Sequence, residues 1–194
     1  MNQDEVASMK DRITGYFEEA YNKSKSHTFT SEDWVTPTWE QIATLNADVD
    51  KQLMTGIPYD RFKELGNNIS KLPKTAEFHR MVRKIFSQRE KSINEGKDID
   101  WGTAEALAFG SLIQDGSQVR ISGQDVERGT FSHRHAHVFY QDRDGYYNPI
   151  NNAIPQGEMR KFIASNSHLS EFAVLGYELG YSMSNPNSLV LWEA

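Results

Sequence analysis

SGQDVERGTFSHRH, residues 122–135, is a dense polar segment around which the rest of the chain can be placed. It follows QVRIS (Gln118–Ser122), which reads as a short strand ending at Gly123. A second polar stretch, NSHLSEF (Asn166–Phe172), follows another strand candidate, Lys161–Ser165. α/β proteins hold their ligands in loops at the carboxyl ends of strands, and both polar stretches lie in such loops.

The flanking sequence fits the same scheme. Trp101–Leu112 is rich in alanine, leucine, glycine and phenylalanine and suits a tightly buried helix. A further helix is predicted from about Ser170 to Ser184, stopped by Asn185 and Pro186, and SLVLW (Ser188–Trp192) is a third strand. Between the two polar stretches, His137–Tyr140 and Tyr146–Ile150 flank a turn at Asp142–Gly145, as in a hairpin. Helix, strand, loop, strand, helix and strand, in that order, describe an α/β fold at the start of a parallel sheet.

Upstream, Val6, Met9, Ile13, Phe17 and Ala20 fall at helical spacing from Glu5 to about Lys23. Ser24–Thr44 is irregular, and its Trp34 and Trp39 are expected to anchor it on a neighbouring surface. A short helix is predicted at Tyr59–Leu65. Thr75 is expected to cap another, with Phe78, Met81, Val82, Ile85 and Phe86 as its apolar stripe. Arg80, Arg83, Lys84 and Arg89 are assigned to that helix's solvated face, in preference to a nucleic-acid surface. Composition shifts at Lys97–Asp100, so residues 1–97 are expected to be a mainly helical extension and 98–194 a domain.

Composition narrows the function. A net charge of -6 argues against nucleic-acid or acidic-membrane partners. The absence of cysteine excludes disulfides, thiolate zinc sites and a cysteine nucleophile. No apolar run reaches the ~20 residues of a membrane helix, and the early acids Asp4 and Glu5 do not fit a targeting peptide. A soluble intracellular chain is expected.

His133, His135 and His137 alternate, so in a strand they would share one face. Metal ligation is the sharper reading. No carboxylate stands at a recognised spacing from them and Arg134 intervenes, so hydrogen bonding to substrate or at an interface is favoured and no metal site is assigned. Asp142–Gly145 is rejected as a calcium loop, because Tyr140 and Asn151 take the first and twelfth ligand positions. Phosphate-loop, dinucleotide and serine-hydrolase motifs are absent. Glu171, in the first turn of an apolar helix just past a strand, either complements the helix dipole or meets a ligand. Gly176 and Gly180, with Tyr177 and Tyr181 beside them, leave room for a helix–helix contact, including one between subunits.

DIDWGTAEALAFGSL (Asp98–Leu112), VRISGQDVERGTFSHRH (Val119–His135), NSHLSEFAVLGYELGYSM (Asn166–Met183) and NSLVLWEA (Asn187–Ala194) closely resemble one enzyme family, as does TGIPYDRF (Thr55–Phe62) upstream. It is the thiamine diphosphate-dependent, decarboxylating component of 2-oxoglutarate dehydrogenase complexes, oxidoreductases of the tricarboxylic acid cycle. The resemblance implies a transketolase-like pyrimidine-binding domain, here a partial parallel sheet behind a mainly helical extension. It implies that Leu169, Ser170 and Glu171 bind the cofactor. Glu171 would be catalytic, hydrogen-bonding a ring nitrogen of the aminopyrimidine and favouring the imino tautomer that deprotonates the thiazolium carbon.

For the first polar stretch the resemblance implies a place near the active-site entrance. There His133, His135, Arg128 and Arg134 would meet substrate carboxylates, or the arginines would form a network with Asp125 and Glu127. The implied partners are a second subunit of a homodimer, a 2-oxo acid, and the lipoyl-bearing dihydrolipoyl succinyltransferase. Magnesium and the diphosphate would be bound by a half of the enzyme outside this sequence. The chain starts in mid-protein by family standards, so a fragment, inactive in isolation, is expected. Alternatives are a 2-oxoadipate dehydrogenase or a non-catalytic interaction module. The implied location is the mitochondrial matrix in a eukaryote or the cytoplasm in a bacterium.

Overall fold

The computed structural model describes residues 2–30, 39, 55–155 and 161–194. Its helices are α1 (Gln3–Ser24), α2 (Tyr59–Ser70), α3 (Arg80–Glu95), α4 (Trp101–Gln114), the one-turn α5 (Pro149–Asn152) and α6 (Glu171–Ser184). Its strands are β1 (Gln118–Gly123), β2 (Val138–Phe139), β3 (Tyr146–Tyr147), β4 (Phe162–Asn166) and β5 (Ser188–Glu193). Two compact units emerge, Met1–Gln41 and Ile42–Ala194. In the first, α1 starts with a capping box between Asn2 and Glu5, and all its residues are exposed.

In the second unit, β1 is the middle of a three-stranded parallel sheet ordered β4-β1-β5. Ile121 sits beside Ala164 on one side and Leu191 on the other. Val119 and Ile121 point into the core with Phe162 and Ala164, while Arg120 and Ser122 alternate to the opposite face. α4 packs on the core face through Leu107, Phe109 and Ile113, with the Phe109 and Phe162 rings stacked 5.3 Å apart. Strand, connection, strand, helix and strand thus make the parallel α/β sheet expected from the sequence. Among the described residues no helix is long and apolar enough to cross a membrane.

Several expectations change. Leu65, Ile69 and Ile93, from the stretch taken as an extension, lie in the same core as Val119. That core cluster thus draws residues from both sides of the compositional shift at 97/98. α3 begins at Arg80, not near Thr75. Phe78 is held extended by a bridge to Tyr140 and buried with Phe86 and Val138, and His79 Nδ1 caps the helix by accepting from the Met81 amide at 3.3 Å. The second hairpin strand stops at Tyr147, because the Asn148 side chain caps α5 and Pro149 has no amide hydrogen for a ladder. Arg89 is buried and does not belong to a solvated face. At ~100° per residue it lies opposite Arg80, so the helical wheel already held that answer. Trp34 falls outside the described residues, and Trp39 is exposed.

Candidate functional site

β1 ends on Gly123, whose φ of +147° and tight surroundings admit only glycine. A Cβ there would stand 1.6 Å from the carbonyl oxygen of Glu193. The chain then turns through Gln124, and the Ser167 amide donates to the Gly123 carbonyl at 2.8 Å, which ties together the loops after β1 and β4. Ser170 caps α6, its Oγ accepting from the Ala173 amide at 3.4 Å. The cap makes Glu171 the first helical residue. Its exposed carboxylate accepts from the neutral amide Nε2 of Gln124 at 3.3 Å. Glu171, Leu169, Gln124, Ser167 and Trp192 are among the residues lining a small cleft at the carboxyl ends of the strands.

A larger cleft of about 350 Å³ adjoins it. His79, Val82, Asp125, Glu127, Arg128, His135, His137, Gln141 and Asn166 are among its lining residues. Consecutive residues in two loops, Gln124–Asp125 and Asn166–Ser167, divide between the two spaces.

The loop from 124 to 137 is not a strand. Asp125, Ser132 and His135 have φ of 55°, 55° and 52°, and the amides of Arg134 and His135 both donate to the Arg128 carbonyl. The three histidines therefore do not share one face. His133 packs toward Gly129 and Phe131, whereas His135 and His137 reach the larger cleft. Burial and then the charge of Arg89 hold His135 below its ordinary pKa. His133 Nδ1 and His135 Nε2 are buried without a hydrogen-bond partner among the described residues.

The two candidate arginines are used differently. Arg128 is exposed, forks onto Asp125 and donates to Ser132 Oγ at 2.7 Å, and its hydrogen bond to Asp125, more than its charge, holds that carboxyl below the usual range. Arg134 is buried. It grips both oxygens of Glu105 at 2.6 and 2.9 Å, Glu193 at 2.5 Å and the Val126 carbonyl at 2.9 Å. Burial pulls its pKa down, but the bonds to Glu105 and Glu193 outweigh this and keep it above its ordinary value. Of the expected arginine–acid network, Arg128–Asp125 forms. Glu127 instead exchanges hydrogen bonds with Asn166, and its Oε2 lies 3.1 Å from His137 Nδ1 without hydrogen-bond geometry. Among the described residues no group of three His, Cys, Asp or Glu could hold a metal ion.

Residues 97–194 match the family model described as transketolase, pyrimidine-binding domain. The chain belongs to the transketolase pyrimidine-binding domain family. It is 42% identical over 197 residues to a mitochondrial 2-oxoglutarate dehydrogenase of Dictyostelium discoideum, a match covering 100% of this chain and 19% of that protein. It is 43% identical over 195 residues to a 2-oxoglutarate dehydrogenase E1 component of Brucella anthropi, covering 100% of this chain and 19% of that protein. The figure for the mitochondrial 2-oxoglutarate dehydrogenase of Saccharomyces cerevisiae is 40% over 193 residues, covering 98% and 19%. The chain thus spans about a fifth of the length of the curated relatives it matches.

Within this pyrimidine-binding domain, sequence reading passed over one pair. Arg120 of β1 forks onto Glu178 of α6, with Nε–Oε2 and Nη2–Oε1 both 2.8 Å, in an almost fully buried site. The signal was present: a charge between Val119 and Ile121 in a central strand, and an acid two turns beyond Glu171 on one helix.

Proposed function

We propose that this chain supplies the aminopyrimidine-binding side of a thiamine diphosphate site in a 2-oxoglutarate dehydrogenase. The observation that carries the reading is the Glu171 carboxylate, open to a cleft at the strand ends and oriented by an uncharged amide. The residues present fit the group: a carboxylate to meet a ring nitrogen, with Leu169 and the Trp192 ring offering apolar surface. Leu169, Ser170 and Glu171 would hold the ring, with Ser170 acting through its cap on α6. Thiamine diphosphate, when bound, supplies the carbanion chemistry of decarboxylation at its thiazolium ring. The chain's part is to hold and move a proton at Glu171 Oε, with Gln124 orienting that oxygen.

The adjoining larger cleft is suited to the dicarboxylate substrate. Arg128 and His135 line it and would meet carboxylate oxygens; His133 and Arg134 would serve by shaping the loop behind. Magnesium and the diphosphate would be held by residues outside this chain. Exposed Phe172, Leu175 and Leu179 on α6, with open space at Gly176 and Gly180, support packing of a second subunit there. Delivery of the succinyl group to a lipoyl arm on dihydrolipoyl succinyltransferase follows from the same reading. So does a location in the mitochondrial matrix or the bacterial cytoplasm.

The test is Glu171→Ala in the complete enzyme, following hydrogen–deuterium exchange at the thiazolium carbon. Exchange should slow by roughly 100-fold or more, with an unchanged circular dichroism spectrum because the side chain is exposed. Wild-type exchange in the variant would refute the role of Glu171.

A further inference from the structure

α6 has fourteen residues, of which only Val174 and Glu178 are buried. Apolar packing alone would leave such a helix free to slide and roll on the sheet, since dispersion contacts have little direction. A leucine at 178 would also pack. The buried site instead holds a carboxylate gripped by both nitrogens of the Arg120 fork, each at 2.8 Å. The guanidinium lies 4.7 Å from the Tyr181 ring centre and 5.6 Å from that of Tyr177, and Gln118 Nε2 donates to Tyr181 Oη at 2.7 Å. Buried ion pairs add little net stability over apolar residues of like volume, because desolvation offsets their attraction; what they add is direction.

That direction bears on the cleft. Glu171 lies seven residues before Glu178, about 10 Å along the helix and within ~20° of the same face. Gln124, which donates to Glu171, lies four residues beyond Arg120 and just past the end of β1. The two partners of the Gln124–Glu171 hydrogen bond are therefore carried by the two elements that the ion pair joins.

Resting on the reading of Glu171 given above, we infer that Arg120 and Glu178 are positioning residues that fix the height and rotation of α6, and so the aim of the Glu171 carboxylate at the aminopyrimidine. Neither touches the cofactor. The alternative is that the pair merely fastens helix to strand, with no bearing on the cleft.

The test compares Arg120→Met/Glu178→Leu, Arg120→Lys and Glu171→Ala in the complete enzyme. The double variant keeps an apolar core and should melt within a few degrees of wild type. In the cofactor-free protein, backbone amide exchange at residues 171–174 should rise about tenfold, not only at 177–181 where the contact is lost. Thiazolium-carbon exchange should fall roughly 10- to 100-fold, the scale of a 1 Å misplacement. Arg120→Lys keeps the charge without the fork and should fall between wild type and the double variant. Wild-type amide exchange at 171–174 together with wild-type thiazolium exchange in the double variant overturns the inference. Should the double variant not fold, the same result in Arg120→Lys overturns it. If Glu171→Ala is slow while the Arg120 variants match wild type, only the positioning role falls. If Glu171→Ala itself exchanges at the wild-type rate, the reading of Glu171 fails and takes the positioning role with it.

Discussion

Arg134→Met separates an arginine that anchors from one that binds substrate. The wild-type guanidinium spends its donors on Glu105, Glu193 and the Val126 carbonyl, joining α4, β5 and the loop after β1. Methionine fills much of the volume and makes none of these bonds. Breaking a buried ion pair from one side costs about 3–5 kcal/mol, since the partner is left charged and alone. Glu105 and Glu193 keep 26% and 30% exposure, so water can recover part of that, and the expected loss is about 3 kcal/mol. With a urea dependence of ~2 kcal/mol per molar, the unfolding midpoint should drop by about 1.5 M. Arg134→Lys retains the charge but can serve only one carboxylate well, so about half the loss is expected, ~1.5 kcal/mol. Urea titration by circular dichroism reads both. An unmoved midpoint in Arg134→Met, coupled to weakened substrate binding in the complete enzyme, would show that the guanidinium faces the substrate and that the anchoring argument is mistaken.

Two further outcomes follow from the same loop and strand end. Burial, and then Arg89, holds His135 below its ordinary value of about 6.5, so the unfolded chain takes up the proton first as pH falls. The stability this neutral ring contributes is complete above that value and is lost as pH drops toward the lowered folded one. Between roughly pH 7.5 and 5.5 the wild-type urea midpoint should therefore fall further than that of His135→Gln, and parallel curves would contradict the assignment. At the end of β1, Gly123→Ala drives a Cβ to 1.6 Å from the Glu193 carbonyl at a φ of +147°. β5 must shift and Arg134 lose its grip on Glu193, so a loss above about 3 kcal/mol is expected; an alanine variant of full stability would disprove the close approach.

The elements that position the candidate site were legible because their signals are local. QVRIS alternates, Ser170 precedes an apolar run, and Asn185-Pro186 stops it; α6 and the three parallel strands formed within a residue or two of expectation. Glu171 stood out for the same reason, as an acid just past a strand end. The start of α3 is not legible locally, because Phe78 answers to Tyr140, some sixty residues away in the chain, more than to its own helical neighbours.

Local sequence signals thus set where helices and strands run, that the sheet is parallel, and which two loops lie at its carboxyl ends. Spacing, capping and chain breaks act between neighbours and need no partner. What the charged groups do depends on contacts between residues distant in the chain. Arg134 meets Glu105 and Glu193 across 29 and 59 residues, and Arg120 meets Glu178 across 58. Arg89 turns inward to the carbonyls of His133 and Arg134, and positive φ angles send His133 and His135 to different surroundings. A buried charge takes whichever opposite charge or carbonyl the packing brings within 3 Å of it, and sheet register and helix packing set that distance.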